Sequence, residues 1–361
     1  SEVAVVTEPA LDVPAGTGLD PDAMSVVARG LTKVFANGHR AVAGVSLVAR
    51  PGEVVGVVGP NGAGKSTILR MLATLLQPSA GSARICGHAL SETRAVRQRI
   101  GVALQDAGLD PLMTAREHFG VQSALYQLPR DEARARADAL LTQFGLTTFA
   151  DKTVGSFSGG TARRLDLALA LLHQPPVLLF DEPTVGLDPR SRRDVWTMVR
   201  EWAGAGRVVI FSTQYLEEAD ILCDRVYIID HGAVVVEGTP QSLKAQVVGG
   251  AKIRLQLAMA PEEAIGRLSA HLPATGFSVH DGAVVIAFDS DQQAVAAVSE
   301  VVAAAGAAGV GLRSLSMSAP TLEDVFLQFT GSTLEPEPLT GKGMDMTARV
   351  NRGIGGRGKK A

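Results

Sequence analysis

Short, unbroken apolar runs along this chain alternate with longer stretches in which apolar residues recur every three or four positions. Val54–Val58, Val177–Phe180 and Val208–Phe211 are continuous runs of strand length, the signal of strands buried on both faces. Ser66–Leu76 puts Ile68, Leu69, Leu72, Leu75 and Leu76 at helical spacing, Ala133–Phe144 is rich in helix formers, and Leu165–Leu172 is a helix stopped by Pro175-Pro176. Buried strands alternating with helices predict an α/β core, a parallel-rich sheet covered by helices. Val26–Leu31 and Val45–Ala49 alternate apolar with polar around a turn-like Asn37-Gly38, which predicts strands of an antiparallel β subdomain. Residues 111–150 are dominated by helix formers and predict a helical subdomain over that span.

The pattern changes near Val247–Ala251. Beyond it, strands are predicted over 252–257, 276–280, 283–288 and 310–317, with helices over 261–271 and 291–305. That βαββαβ order is the ferredoxin-like unit, a small α+β domain over 251–330. A last helix, Thr321–Phe329, is expected to pack back on it. Residues 25–245 form the first domain. Residues 1–24, rich in Pro, Gly, Ala and acids, predict a disordered leader, and 331–361 a disordered basic tail.

Composition narrows the class. Net charge is −3, so no general electrostatic attraction to nucleic acid is expected. The two cysteines, Cys86 and Cys223, lack ligand spacing and predict ordinary thiols, not a zinc site or disulfide framework. His39, His88, His118, His173, His271 and His280 show no clustered ligand spacing either. The most apolar long window, Ala294–Val310, is interrupted by Glu300, Gly306 and Gly309, and the first residues lack a signal-peptide pattern. A soluble intracellular chain is expected, with any membrane role through a partner.

The chemistry starts where Val58 runs into Gly59-Pro60-Asn61-Gly62-Ala63-Gly64-Lys65-Ser66-Thr67 and a helix opens. A glycine loop between strand and helix turns backbone N–H groups inward around phosphate oxygens, and the helix N-terminus adds positive charge. Lys65 is expected to reach the β- and γ-phosphates and Ser66 to ligate magnesium. Asp181 and Glu182 end the run from Val177. Beside a phosphate loop, Asp181 faces magnesium through water and Glu182 polarises the attacking water. Gln105, after Ile100–Leu104, is a candidate magnesium ligand that bridges to the helical region. Arg163-Arg164 either bring positive charge near a phosphate or solvate a helix. These motifs predict a nucleoside triphosphate bound with Mg2+.

Ser158-Gly159-Gly160 supplies a hydroxyl and two bare amides at a helix start, a second anion site only a helix and a strand away from Asp181. One domain would not aim both sites at one γ-phosphate. Two copies head to tail could, which predicts a homodimer.

With these residues the chain resembles an ATP-binding cassette (ABC) ATPase over residues 25–240. The resemblance implies ATP as the nucleotide and implies that Phe35 stacks on adenine. It also implies that Gly186-Leu187-Asp188 speaks across the dimer and that Gln214 is the γ-phosphate switch residue. The family usually has His there; a neutral amide can donate to a phosphate but cannot titrate. The segment Gln214–Asp220, with Asp230-His231-Gly232 and Glu237-Gly238-Thr239, is similar to the daunorubicin-resistance type of drug-export ATPase, to about residue 330. This implies hydrolysis of ATP that powers outward movement of hydrophobic or amphiphilic compounds through a separate integral-membrane permease, at the cytoplasmic face of the plasma membrane. Alternatives are an ABC ATPase of DNA repair or the ribosome, and a regulatory module that binds ATP without turnover.

Overall fold

The computed structural model describes residues 25–105, 108–247, 251–272, 276–280, 282–288 and 291–331; the expected leader and all but the first residue of the expected tail lie outside them. In chain order the first half runs β1 (Val26–Val34), β2 (Arg40–Ala49), β3 (Val54–Val58), α1 (Lys65–Leu72), β4 (Ala80–Ile85), β5 (His88–Ala89), α2 (Thr93–Arg97), β6 (Ile100–Ala103), α3 (Ala115–Leu125) and α4 (Arg130–Gln143). Then come α5 (Gly159–Leu171), β7 (Val177–Asp181), α6 (Pro189–Gly204), β8 (Val208–Thr213), α7 (Leu216–Leu222), β9 (Arg225–Asp230), β10 (Ala233–Gly238) and α8 (Pro240–Lys244). The last part is β11 (Ala251–Leu257), α9 (Pro261–Leu268), β12 (Phe277–His280), β13 (Ala283–Phe288), α10 (Asp291–Ala307), β14 (Leu312–Ser318) and α11 (Leu322–Thr330).

Three sheets form among the described residues. The central one has the order β10-β9-β3-β8-β7-β6 and is parallel except for the edge strand β10. Its apolar runs are continuous because both faces are covered. In β7, Leu178 and Phe180 enter one core with α3, α4, α5 and α6, whereas Val177 and Leu179 enter another with α1 and the antiparallel sheet β2-β1-β4-β5. Register sets the site: Val58 pairs with Thr213 and Asp181 with Ser212. The loop after β3, the carboxylates after β7 and the segment after β8 therefore emerge side by side at the carboxyl edge, where parallel sheets bind ligands.

The predicted βαββαβ order is present in the last part of the chain. Its four strands form an antiparallel sheet of order β12-β13-β11-β14 with its own apolar core. The last helix departs from expectation. α11 does not pack on that sheet's core: Leu322, Val325 and Phe326 are buried in the core of the first unit, beside α7, α8 and β10. Gln328 Nε2 donates to Gln246 O at 3.1 Å, and Lys252 on β11 ion-pairs with Asp324. A shorter departure occurs at α1, which stops at Leu72. Thr74 takes a left-handed φ of 58°, and Leu75 turns outward. Cys86 and Cys223 are buried free thiols. No helix among the described residues is long and apolar enough to cross a membrane.

Candidate active site

The phosphate loop is shaped by its glycines. Gly64 caps α1 with φ 103°, and a Cβ there would lie 2.4 Å from Ala41 O; Gly62 has φ 82°. Both φ values belong to the region that favours glycine. No side chain caps α1 and its first turn holds no acid, so its leading N–H groups face outward for an anion. Lys65 is buried. Its Nζ donates to Gly59 O (2.9 Å) and Pro60 O (3.0 Å) and lies 3.6 Å from Glu182 Oε1. Burial pulls the Lys65 ammonium below its ordinary pKa and pushes the Glu182 carboxyl above its own; each charge partly offsets the other's shift.

Asp181 is fully buried. Ser66 Oγ donates to its Oδ1 at 3.0 Å, and Ser212 Oγ donates to the same oxygen. Its second oxygen, Oδ2, is buried without a partner among the described residues. An orphan carboxylate oxygen beside a serine hydroxyl fits a hard divalent cation, which takes oxygen ligands and keeps waters. Glu182 holds a left-handed φ of 49°, and its N–H is directed at Ser212 Oγ (3.0 Å) and Ser212 O (3.2 Å). A non-glycine residue in that region is a local strain that surrounding bonds must hold.

A cleft of about 500 Å³ gathers Phe35, Asn61, Gly62, Gly64, Lys65, Ser66, Thr67, Gln105, Glu182 and Gln214. Gly59, Pro60, Ala63 and Asp181 belong to the same loop and strand end but do not line it. His39 and Val185 also line the cleft. His39 has no clustered ligand spacing in the sequence. The signal was the Asn37-Gly38 turn, which brings His39 back beside Phe35; Phe35 N donates to His39 O at 2.9 Å.

Ser158, Gly159, Gly160 and Asp188 do not line this cleft. Ser158 and Gly159 are exposed at the start of α5, where Ser158 Oγ accepts Thr161 N at 3.2 Å as the helix cap. Asp188 caps α6, accepting from Arg190 N and Ser191 N, and the Ser191 hydroxyl holds its carboxyl below the ordinary carboxylate range. The two outlying pieces sit together: a Cβ on Gly160 would be 3.3 Å from Leu187.

Two polar connections carried no sequence signal. Glu218, buried on α7, accepts hydrogen bonds from Thr184 and from Thr213 Oγ1 (2.8 Å), tying the loop after β7 to the segment that carries Gln214. Arg163 is buried, so it does not solvate a helix; it does not line the cleft, and its guanidinium donates to the Asp181 carbonyl.

Residues 42–185 match the ABC transporter family. The chain is 45% identical over 294 residues to the daunorubicin resistance ATP-binding protein DrrA3 of Streptomyces coeruleorubidus, covering 81% of this chain and 92% of that one. It is 43% identical over 305 residues to the daunorubicin/doxorubicin resistance ATP-binding protein DrrA of Streptomyces peucetius, covering 84% and 91%. Among solved structures, a dimeric ATP-binding cassette in a post-hydrolysis state bound to ADP and Pi aligns with TM-score 0.56 at 28% identity, covering 59% of this chain and 98% of that one. With a phosphate loop, a carboxylate pair and a helix-start serine in this arrangement, and with relatives of this closeness, the chain belongs to the ABC transporter ATP-binding proteins and is an ATPase.

Proposed function

We propose that the chain works as a head-to-tail homodimer, each cleft completed by the Ser158-Gly159-Gly160 motif and the Asp188 loop of the other copy. The observation that carries this is the outward placement of Ser158 and Gly159, away from the chain's own Lys65. A helix start with outward amides is a candidate anion site, and this one does not line the cleft that holds Lys65.

In that dimer Lys65 and the loop N–H groups hold the β- and γ-phosphates, Phe35 stacks on adenine, and Gln214 donates to the γ-phosphate. Glu182 orients the attacking water. The water oxygen bonds to the γ-phosphorus while the bond to the β–γ bridging oxygen breaks, giving ADP and phosphate. Ser66, Asp181 and Gln105 would hold Mg2+, which supplies charge neutralisation on the phosphates when bound. The catalysis is positioning and electrostatics. Raised by burial and restrained by Lys65, the Glu182 carboxyl is a stronger base than an exposed one.

The relatives' names are those of drug-resistance ATP-binding proteins, and on that basis the cycle of closing and reopening powers export of a hydrophobic or amphiphilic compound through a separate permease at the cytoplasmic face of the plasma membrane. The helical region offers it a surface: Leu112, Val121 and Leu125 are exposed by 83%, 51% and 72%. A Glu182→Gln chain trapped with ATP and crosslinked in native membranes tests this. Recovery of a multi-span protein at near-equal stoichiometry supports the transporter. Recovery of soluble, ribosomal or DNA-associated partners alone overturns it.

A further inference from the structure

Arg163 is the fifth residue of α5, the helix that Ser158 opens. Its guanidinium spends its donors on three backbone carbonyls and one carboxylate. Nη2 donates to Asp181 O (2.5 Å) and Nε to Pro183 O (3.3 Å), the carbonyls on either side of Glu182. Nη1 donates to Leu104 O, next to Gln105, and to Asp166 Oδ2 at 2.9 Å. A buried planar fork with its donors matched in this way fixes the relative placement of everything it touches. Glu182 is the residue that needs fixing, because its backbone is in a left-handed conformation that a non-glycine residue leaves unless held. Ser212 holds it from β8; Arg163 holds it from α5.

We propose that Arg163 is a positioning residue for Glu182, tying the backbone of the catalytic carboxylate to the helix that carries Ser158-Gly159-Gly160 and to the strand end that carries Gln105. This rests on the proposed function. Its consequence is specific: the motif that serves one nucleotide reports its position to the carboxylate that serves the other. When α5 shifts on engaging a partner's phosphates, the Asp181 and Pro183 carbonyls move with it. Lysine cannot replace this group, since one ammonium cannot span three carbonyls in two segments and a carboxylate in a third.

The test uses the full chain in four forms: wild type, Arg163→Lys, Glu182→Gln and the double variant. Phosphate release and MgATP affinity are measured for each. Lysine keeps a positive charge beside Asp166. If it fails to fold, Arg163→Met with Asp166→Leu removes the buried pair together and serves the same comparison. The expected result is a ten- to one-hundredfold loss of kcat with MgATP affinity within about twofold of wild type. On the Glu182→Gln background the same change should have no further effect on the residual rate, because a group acting through Glu182 has nothing left to position. A kcat within twofold of wild type overturns the inference, as does an equal loss on both backgrounds. A Glu182→Gln chain that hydrolyses at the wild-type rate overturns the proposed role of Glu182 and this inference with it. A twofold or smaller loss from Arg163 replacement beside an inactive Glu182→Gln chain overturns this inference alone.

Discussion

Removing one hydroxyl from the carboxyl edge of the sheet should damage catalysis out of proportion to its size. Ser212 Oγ donates to Asp181 Oδ1 and accepts the N–H of Glu182 at 3.0 Å, and both Ser212 and Asp181 are fully buried. In Ser212→Ala the Glu182 N–H keeps a second acceptor, Ser212 O at 3.2 Å, so that side of the loss is small. The main loss is a hydrogen bond to a buried carboxylate, about 1.5–3 kcal/mol. Spread over a unit of this size, that lowers Tm by about 3–12 °C. If the same energy is lost from the transition state, kcat falls about ten- to one-hundredfold. Ser66 still holds Asp181 Oδ1, so nucleotide affinity should change far less than kcat. Phosphate release at saturating ATP, with thermal melting of the same preparations, measures both. Ser212→Thr keeps the hydroxyl and should recover most of the rate. A folded Ser212→Ala chain with kcat within twofold of wild type would refute the argument that this hydroxyl organises the two carboxylates.

Three further outcomes can be checked. Gly64→Ala combines a left-handed φ with a 2.4 Å approach to Ala41 O and should cost about 2–6 kcal/mol, whereas Gly62→Ala has open space and should cost about 1–2 kcal/mol; fluorescent-nucleotide titration and melting should rank them in that order. His173, stacked on Tyr126 at 3.7 Å, has its pKa pulled down by burial to about 4 from an ordinary 6.5; the unfolded chain takes the proton more readily, so stability is intact above pH 6.5 and is lost as pH falls toward 4. Relative to His173→Phe, wild type should lose about 1 kcal/mol between pH 7.5 and 5.5 in urea melts, and parallel profiles would remove the effect. Phe326→Ala, deep in the core of the first unit, should lower stability by about 3–5 kcal/mol; a loss below 1 kcal/mol would mean that α11 is not part of that core.

The features legible in the sequence are those whose pattern is local. Val54–Val58 and Val177–Phe180 announced themselves because both faces of a central strand are buried, and the loop from Gly59 carries its own spacing. The strand β4, Ala-Gly-Ser-Ala-Arg-Ile, announced nothing, because its place is set by pairing with β1 far earlier in the chain. α1 looked longer than it is, since Leu75 and Leu76 continue the helical spacing past the residue, Thr74, where the backbone turns. The site followed the same rule. The loop from Gly59 to Thr67 came with a motif, whereas Arg163, Ser212 and Glu218 bond to carbonyls and side chains from other segments. Such a role depends on tertiary position, and an arginine after Ser-Gly-Gly reads equally well as a surface charge until the fold buries it.

The return of α11 to the core of the first unit makes the four-stranded unit an insert, not an appendage. Chain leaves the core after α8 and re-enters it at Leu322, and the Lys252–Asp324 ion pair shows exit and entry lying close together. A truncation before β11 would therefore strip three buried side chains from the ATPase as well as removing the small unit, and lost activity would say nothing about the small unit itself. Excising 252–319 and rejoining the ends with a short flexible linker leaves the core closed. The seam that holds the insert also touches α7, the helix that follows Gln214, so the insert and the segment after β8 share one packed boundary.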